Sequence, residues 1–111
     1  MKLPADAVIS MEKLKSYLLT ELPRGDKSRF LAEAAYTTVN AELLERDLRG
    51  QILSCEATPL PARGYGDRYE IRGILRGPNG LELPVRTIWM REFATGVVKF
   101  ITLIPLRRER P

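Results

Sequence analysis

The chain has 111 residues, 44% of them hydrophobic and 29% charged, with 18 Lys and Arg against 14 Asp and Glu, a net charge of +4 and a pI near 9.5. That length implies a single domain with a buried core, and the charge permits a nucleic-acid partner without requiring one. The absence of histidine excludes a Ser-His-Asp triad, a Cys-His dyad and two-histidine ribonuclease chemistry; with Cys55 as the single cysteine, no zinc set and no internal disulfide are available.

No apolar run approaches the roughly 20 residues of a membrane helix, so no membrane segment is expected. The opening MKLPADAVIS has one lysine and no apolar stretch, which argues against a secretory leader. A reducing cytoplasm is the simplest location, and no metal or cofactor is expected. Thirteen of the basic residues are Arg and five are Lys. The rigid guanidinium fork suits phosphate and carboxylate, although a GC-rich genome gives the same bias.

In chain order, Val8, Met11, Leu14, Leu18 and Leu22 make one stripe at helical spacing, with Ser10 as N-cap and Lys13 where a capping box has Glu. Pro23-Arg24-Gly25 ends this helix. Asp26 caps a second, whose apolar members are Phe30, Leu31, Ala34 and Ala35. A third starts at Thr38 or Asn40 and turns Leu43, Leu44, Leu48 and Ile52 inward. Glu42–Arg46 and Glu45–Arg49 are i,i+4 pairs of the favourable order. The helical half covers about residues 8–54.

After Cys55, Pro59, Pro61, Gly64 and Gly66 mark a loop that can begin with a short edge strand. From Arg68 the apolar period becomes two, which predicts strands at about Arg68–Arg76, Leu83–Arg91 and Val97–Leu106. The sheet region covers about residues 55–106, and residues 107–111 read as a frayed tail. The expected fold is α+β, with about three N-terminal helices packed on one face of an antiparallel sheet of about four strands.

Asn79-Gly80 is a strong two-residue hairpin signal. On that register Arg72 faces Thr87, Gly73 faces Arg86 and Tyr69 faces Met90. One face then carries Tyr69, Ile71, Gly73, Leu75, Ile88 and Met90, with Arg86 as an exception opposite glycine. The other carries Glu70, Arg72, Ile74, Arg76, Val85, Thr87 and Trp89. A longer turn inverts the β-face list. A wet face with Arg, Thr and an aromatic can hold single-stranded RNA, since bases stack on rings and phosphates pair with Arg. The plainer reading covers Trp89 with the loop 57–66, leaves the arginines to solubilise the sheet, and makes Arg86 a snorkelling side chain.

Other candidates are weaker. Arg24, Lys27 and Arg29 sit at a helix N-terminus, but Asp26 competes for its donors and Walker spacing is missing. Arg-Gly-Asp at 24–26 is attributed to chance, and Cys55 reads as a small apolar residue.

The stretches EKLKSYLL, PRGDKSRFL, YGDRYEIRGILRGPNG, VRTIWM and FITLIPL, in that order, resemble a small uncharacterised bacterial domain family. It occurs beside antitoxin-like genes and at the C-termini of toxin-like or phage-associated proteins. That family in turn resembles the barnase–EndoU–colicin–RelE superfamily of ribonuclease toxins, in which N-terminal helices pack on a four-stranded antiparallel sheet. The chain departs from the pattern at Ala34-Ala35-Tyr36, where a Leu-Gly-Phe type of turn is common, and at its LIPL close.

The resemblance implies a toxin-like domain of a toxin–antitoxin pair and a metal-independent ribonuclease. Its partners would be a cognate antitoxin or immunity protein and RNA. A non-catalytic nucleic-acid- or protein-binding domain is the alternative. Lys27, Tyr69, Arg86, Thr87 and Thr102 are the candidate catalytic residues; Arg72, Arg76 and Trp89 are the candidate substrate-binding residues. On the strands only Glu70 and Tyr69 could serve as general base.

Overall fold

The computed structural model describes residues 1–23 and 27–106. The expected Arg24-Gly25 stop, the Asp26 cap and the tail 107–111 lie outside the described residues. The protein is α+β, with a four-stranded antiparallel sheet in the order β1 (Thr58–Arg63), β2 (Gly66–Arg76), β3 (Glu82–Glu92) and β4 (Val98–Pro105). Among the described residues no helix is long and apolar enough to cross a membrane.

Helix α1 is Met11–Lys13, continued by a π-helical stretch at Leu14–Leu18. Ser10 caps it as expected, its hydroxyl accepting from the Lys13 N–H at 3.2 Å. The helix is shorter than the apolar stripe implied because Val8 is used otherwise. Its N–H donates to Val98 O and its carbonyl accepts from Phe100 N, both at 2.8 Å. The N-terminal segment thereby covers part of an edge strand that would otherwise present open backbone groups.

Helix α2, Ser28–Glu33, closes with Ala35 at φ 71°, while Tyr36 N–H donates to Leu31 O at 3.1 Å. This is a left-handed C-terminal cap of the kind glycine usually supplies. Thr37 then caps a 3-10 turn, Thr38–Asn40, and the Thr37 N–H in turn donates to Asn40 Oδ1 at 2.8 Å. Helix α3, Ala41–Asp47, continues as a second π-helical stretch, Leu48–Leu53.

The helices do not form one continuous layer. The end of α3 lies on β2, where a Cβ added at Gly73 would stand 3.1 Å from Ile52 Cδ1. Helix α1 sits at the β4 edge, where Lys13 Nζ donates to Ile101 O at 2.9 Å. Leu14, Leu18, Leu31, Leu44, Leu48 and Ile52 are fully buried in one hydrophobic cluster with Ile71, Leu75, Val85 and Trp89.

The β2–β3 turn differs from the expected two-residue form. Gly77 N–H donates to Leu81 O at 3.0 Å and Gly80 N–H donates to Gly77 O at 2.9 Å. Of the turn residues only Gly80 has positive φ, at 86°. A two-residue type I′ turn needs positive φ at both central positions, whereas a three-residue loop needs one left-handed residue after an ordinary turn. The Asn79 side chain fixes this loop, accepting from Leu81 N–H at 3.0 Å and donating to Glu33 O at 2.9 Å.

The longer loop shifts the register by one residue, so Tyr69 faces Trp89, Ile71 faces Thr87 and Arg72 faces Arg86. Every β3 side chain therefore lies on the face opposite to the one expected. Trp89 and Thr87 are in the core, both 0% exposed. Trp89 meets Phe100 edge to face at 5.3 Å. Its Nε1–H donates to Thr87 Oγ1 at 2.8 Å, and the Thr87 hydroxyl donates to Ile71 O at 3.0 Å, so both buried polar groups are satisfied. Arg86 joins Glu70 and Arg72 on the open face, and its expected exception on the apolar side disappears.

Ala35→Gly is expected to stabilise the protein. The left-handed conformation costs a non-glycine residue roughly 1–2 kcal/mol, more than the roughly 0.5–1 kcal/mol of added chain entropy that glycine loses on folding. Thermal unfolding should show a Tm higher by a few degrees; an unchanged or lower Tm would contradict the strained cap.

Candidate functional site

Paired residues of an antiparallel sheet share a face, so the register defines the open side row by row. Glu70, Ile88 and Thr102 form one row; Arg72, Arg86 and Ile104 form the next. Ile88 is only 5% exposed although it lies outside the main core cluster. Ile74 and Arg76 continue the face toward the turn, and Arg76 stands exposed opposite Glu82.

Glu70 is the hub of the centre. Arg72 Nε donates to Glu70 Oε1, and Arg86 Nε stands 3.2 Å from Glu70 Oε2. The Arg86 contact is an ion pair without a well-directed hydrogen bond, leaving a buried Nε–H unsatisfied. The Glu70 side chain is 13% exposed. The hydrogen bond from Arg72, aided by Arg86, holds its carboxyl below the ordinary range against the opposing effect of burial. One carboxylate thus neutralises part of a two-guanidinium patch and fixes its geometry.

A second cluster stands at the β4 edge. Lys27 Nζ, on the residue preceding α2, donates to Thr102 Oγ1 at 2.7 Å and to Tyr17 OH at 3.1 Å. Tyr17 OH and Thr102 Oγ1 are 3.3 Å apart, and the ammonium lies 5.0 Å from the Tyr17 ring centroid. The Thr102 hydrogen bond, followed by the Lys27 bond, lowers the Tyr17 pKa by favouring the phenolate. A groove of about 680 Å³ opens beside this cluster between α1 and β4, with Lys13, Ser16, Tyr17, Ile101 and Thr102 on its walls.

The two clusters adjoin. Arg86 pairs with Ile104, so Thr102 is its diagonal neighbour on the same face, at roughly 7–8 Å between such positions in a sheet. Lys27, Thr102, Arg72 and Arg86 therefore surround one stretch of open sheet. Tyr69, Thr87 and Trp89 do not join them. Tyr69 is 8% exposed on the core face, and the Thr87 hydroxyl is consumed inside the core. Tyr17 is not singled out by the sequence pattern. It follows the apolar stripe of α1 on its polar side, and nothing local to α1 indicates that it meets a strand 85 residues away.

Among the described residues no group of three or more Cys, Asp or Glu side chains is arranged to hold a metal ion. The positive groups and hydroxyls can instead grip an anion bearing several oxygens, such as a phosphodiester.

Residues 2–107 match the family described as a domain of unknown function, DUF6883, and the chain belongs to that family. No curated protein and no solved structure is matched by the chain.

The Tyr17 phenol is expected to titrate below the ordinary value of about 10. Difference absorbance against Tyr17→Phe isolates it from the other tyrosines. Removing the leading cause with Thr102→Val should move the titration upward, and Lys27→Ala should do the same. An unchanged midpoint in both variants would show that the cluster does not form.

Proposed function

We propose that this DUF6883 domain is the toxin-like member of a toxin–antitoxin pair and acts as a metal-independent endoribonuclease on the open face of its sheet. The observation that carries this reading is the Lys27–Tyr17–Thr102 cluster beside a groove, with Arg86 and Arg72 on the next row of the same open sheet face. The resemblance to ribonuclease toxins supports it, since those domains also combine N-terminal helices with a four-stranded antiparallel sheet.

Cleavage proceeds by attack of a ribose 2′ oxygen on the adjacent phosphorus. The O2′–P bond forms, the P–O5′ bond breaks and a 2′,3′-cyclic phosphate results. Tyr17, held toward phenolate by Thr102 and Lys27, accepts the 2′ proton. Lys27 supplies a proton to the departing 5′ oxygen, and the proton taken by Tyr17 then passes to Lys27, restoring the phenolate and the ammonium. Arg86 and Arg72 face the charge that grows on the phosphoryl oxygens. Glu70 positions the two guanidinium groups; its lowered pKa makes it a poor proton acceptor. An acidic antitoxin covering Arg72, Arg86 and Lys27 would block the same groups.

Incubation of the purified protein with single-stranded RNA in excess EDTA should yield cyclic-phosphate ends. Tyr17→Phe and Lys27→Ala should each slow cleavage by about 10²-fold or more, the usual range for acid–base groups. The rate should rise with pH through the lowered Tyr17 pKa, and Thr102→Val should shift that rise to higher pH. RNA binding without cleavage at any pH would replace this reading with a binding domain.

A further inference from the structure

The end of the sheet remote from the Asn79 turn carries two aromatic rings that the core does not use. Tyr65, in the β1–β2 turn, is 83% exposed, and Phe93, just past β3, is 63% exposed. They are neighbours, because Phe93 N–H donates to Tyr65 O at 2.8 Å. Single exposed apolar residues are ordinary, but contiguous exposed apolar surface marks interaction sites.

Three arginines lie in the rows at this end of the sheet, Arg63 and Arg68 on the open face and Arg91 on the core side. Arg63 faces Gly66, Arg68 faces Met90, and Arg91 faces Asp67. None of the three has an ion-pair partner among the described residues. Arg68 donates only to Pro61 O at 3.4 Å, and the Arg91 Nε–H is buried without an acceptor. Of the nearby carboxylates, Glu92 is engaged by Lys99 at 3.1 Å and by Thr95 at 3.0 Å, which leaves Asp67. Positive charge therefore exceeds negative charge around the two rings.

We propose that Tyr65 and Phe93 form a stacking platform for the bases of single-stranded RNA, with Arg63 and Arg68 holding the adjoining phosphates. A polymer that alternates flat π faces with negative charges matches this surface; a purely acidic polypeptide has no use for the rings. The inference rests on the reading of the open face as an RNA site and extends it. Four residues of strand separate the Gly66–Glu92 row from the Glu70–Ile88 row, about 13 Å at the rise of an extended chain. The platform thus holds nucleotides flanking the cleaved bond rather than those at it.

The test uses the full chain and a fluorescent single-stranded oligonucleotide blocked by 2′-O-methyl groups, which cannot be cleaved. Tyr65→Ala combined with Phe93→Ala should weaken binding by about ten-fold or more, the scale of losing stacked bases. Tyr65→Phe combined with Phe93→Tyr keeps both rings and should bind like the wild type. Cleavage of a dinucleotide, too short to reach the platform, should be the same in all three. Affinity of the double alanine variant within about two-fold of wild type would overturn the proposal. So would an effect confined to binding of poly-glutamate, which would make the surface a protein dock. If the wild type cleaves nothing yet the double alanine variant still loses affinity, the platform stands and the ribonuclease reading falls.

Discussion

The β2–β3 connection is the constraint on which the rest of the molecule depends. Side chains alternate along a strand, so the loop length between residues 77 and 81 decides which half of β3 is core. With Gly80 left-handed and Gly77 paired to Leu81, Trp89 and Thr87 point inward and Arg86 points outward. The alternative register would expose the indole and turn Arg86 toward the apolar face. Exposing one large side chain forfeits about 2–3 kcal/mol, and an unpaired buried charge costs several more. Each term alone is comparable to a large part of a small domain's net stability. The core, not the Asn-Gly propensity, selects the turn.

The same register assembles the open face. It places Arg86 beside Glu70, which already holds Arg72, and it aligns Thr102 diagonally with Arg86. The edge of β4 supplies the remaining parts. Its exposed backbone groups are covered at one end by Val8 and at another by Lys13. Bringing α1 to that edge carries Tyr17 to Thr102, and the start of α2 adds Lys27. A device that shields a strand edge therefore also positions a phenol, a hydroxyl and an ammonium beside a groove.

Much of the architecture was legible in the sequence, because strong local patterns lead to it. The Ser10 cap, the Leu44–Leu48–Ile52 stripe and the period-two stretches all correspond to observed elements, and the Glu45–Arg49 pair forms at 3.2 Å. The Glu42–Arg46 pair is not the one seen: Arg46 turns to Asp47 instead, whose carboxylate also takes the buried Tyr36 hydroxyl. Burial pushes the Tyr36 pKa up, so its hydroxyl remains a donor there. Ala35 takes the positive φ that glycine usually supplies at a helix end. What the pattern could not give was tertiary. One residue of loop length inverted the β3 face list, and the union of Tyr17, Lys27 and Thr102 joins three distant segments. The resemblance names Lys27 and Thr102 together; their contact with a helix tyrosine has no local signal.

The central claim is that the face bearing Arg72 and Arg86, not the face bearing Trp89, meets RNA. An NMR titration with a non-cleavable single-stranded oligoribonucleotide tests it most directly. The account predicts shifts of the Arg72 and Arg86 Nε–H signals and of resonances around Lys27 and Thr102, while the Trp89 indole N–H, locked to Thr87, stays in place. Movement of the Trp89 signal with the arginine signals unchanged would contradict it.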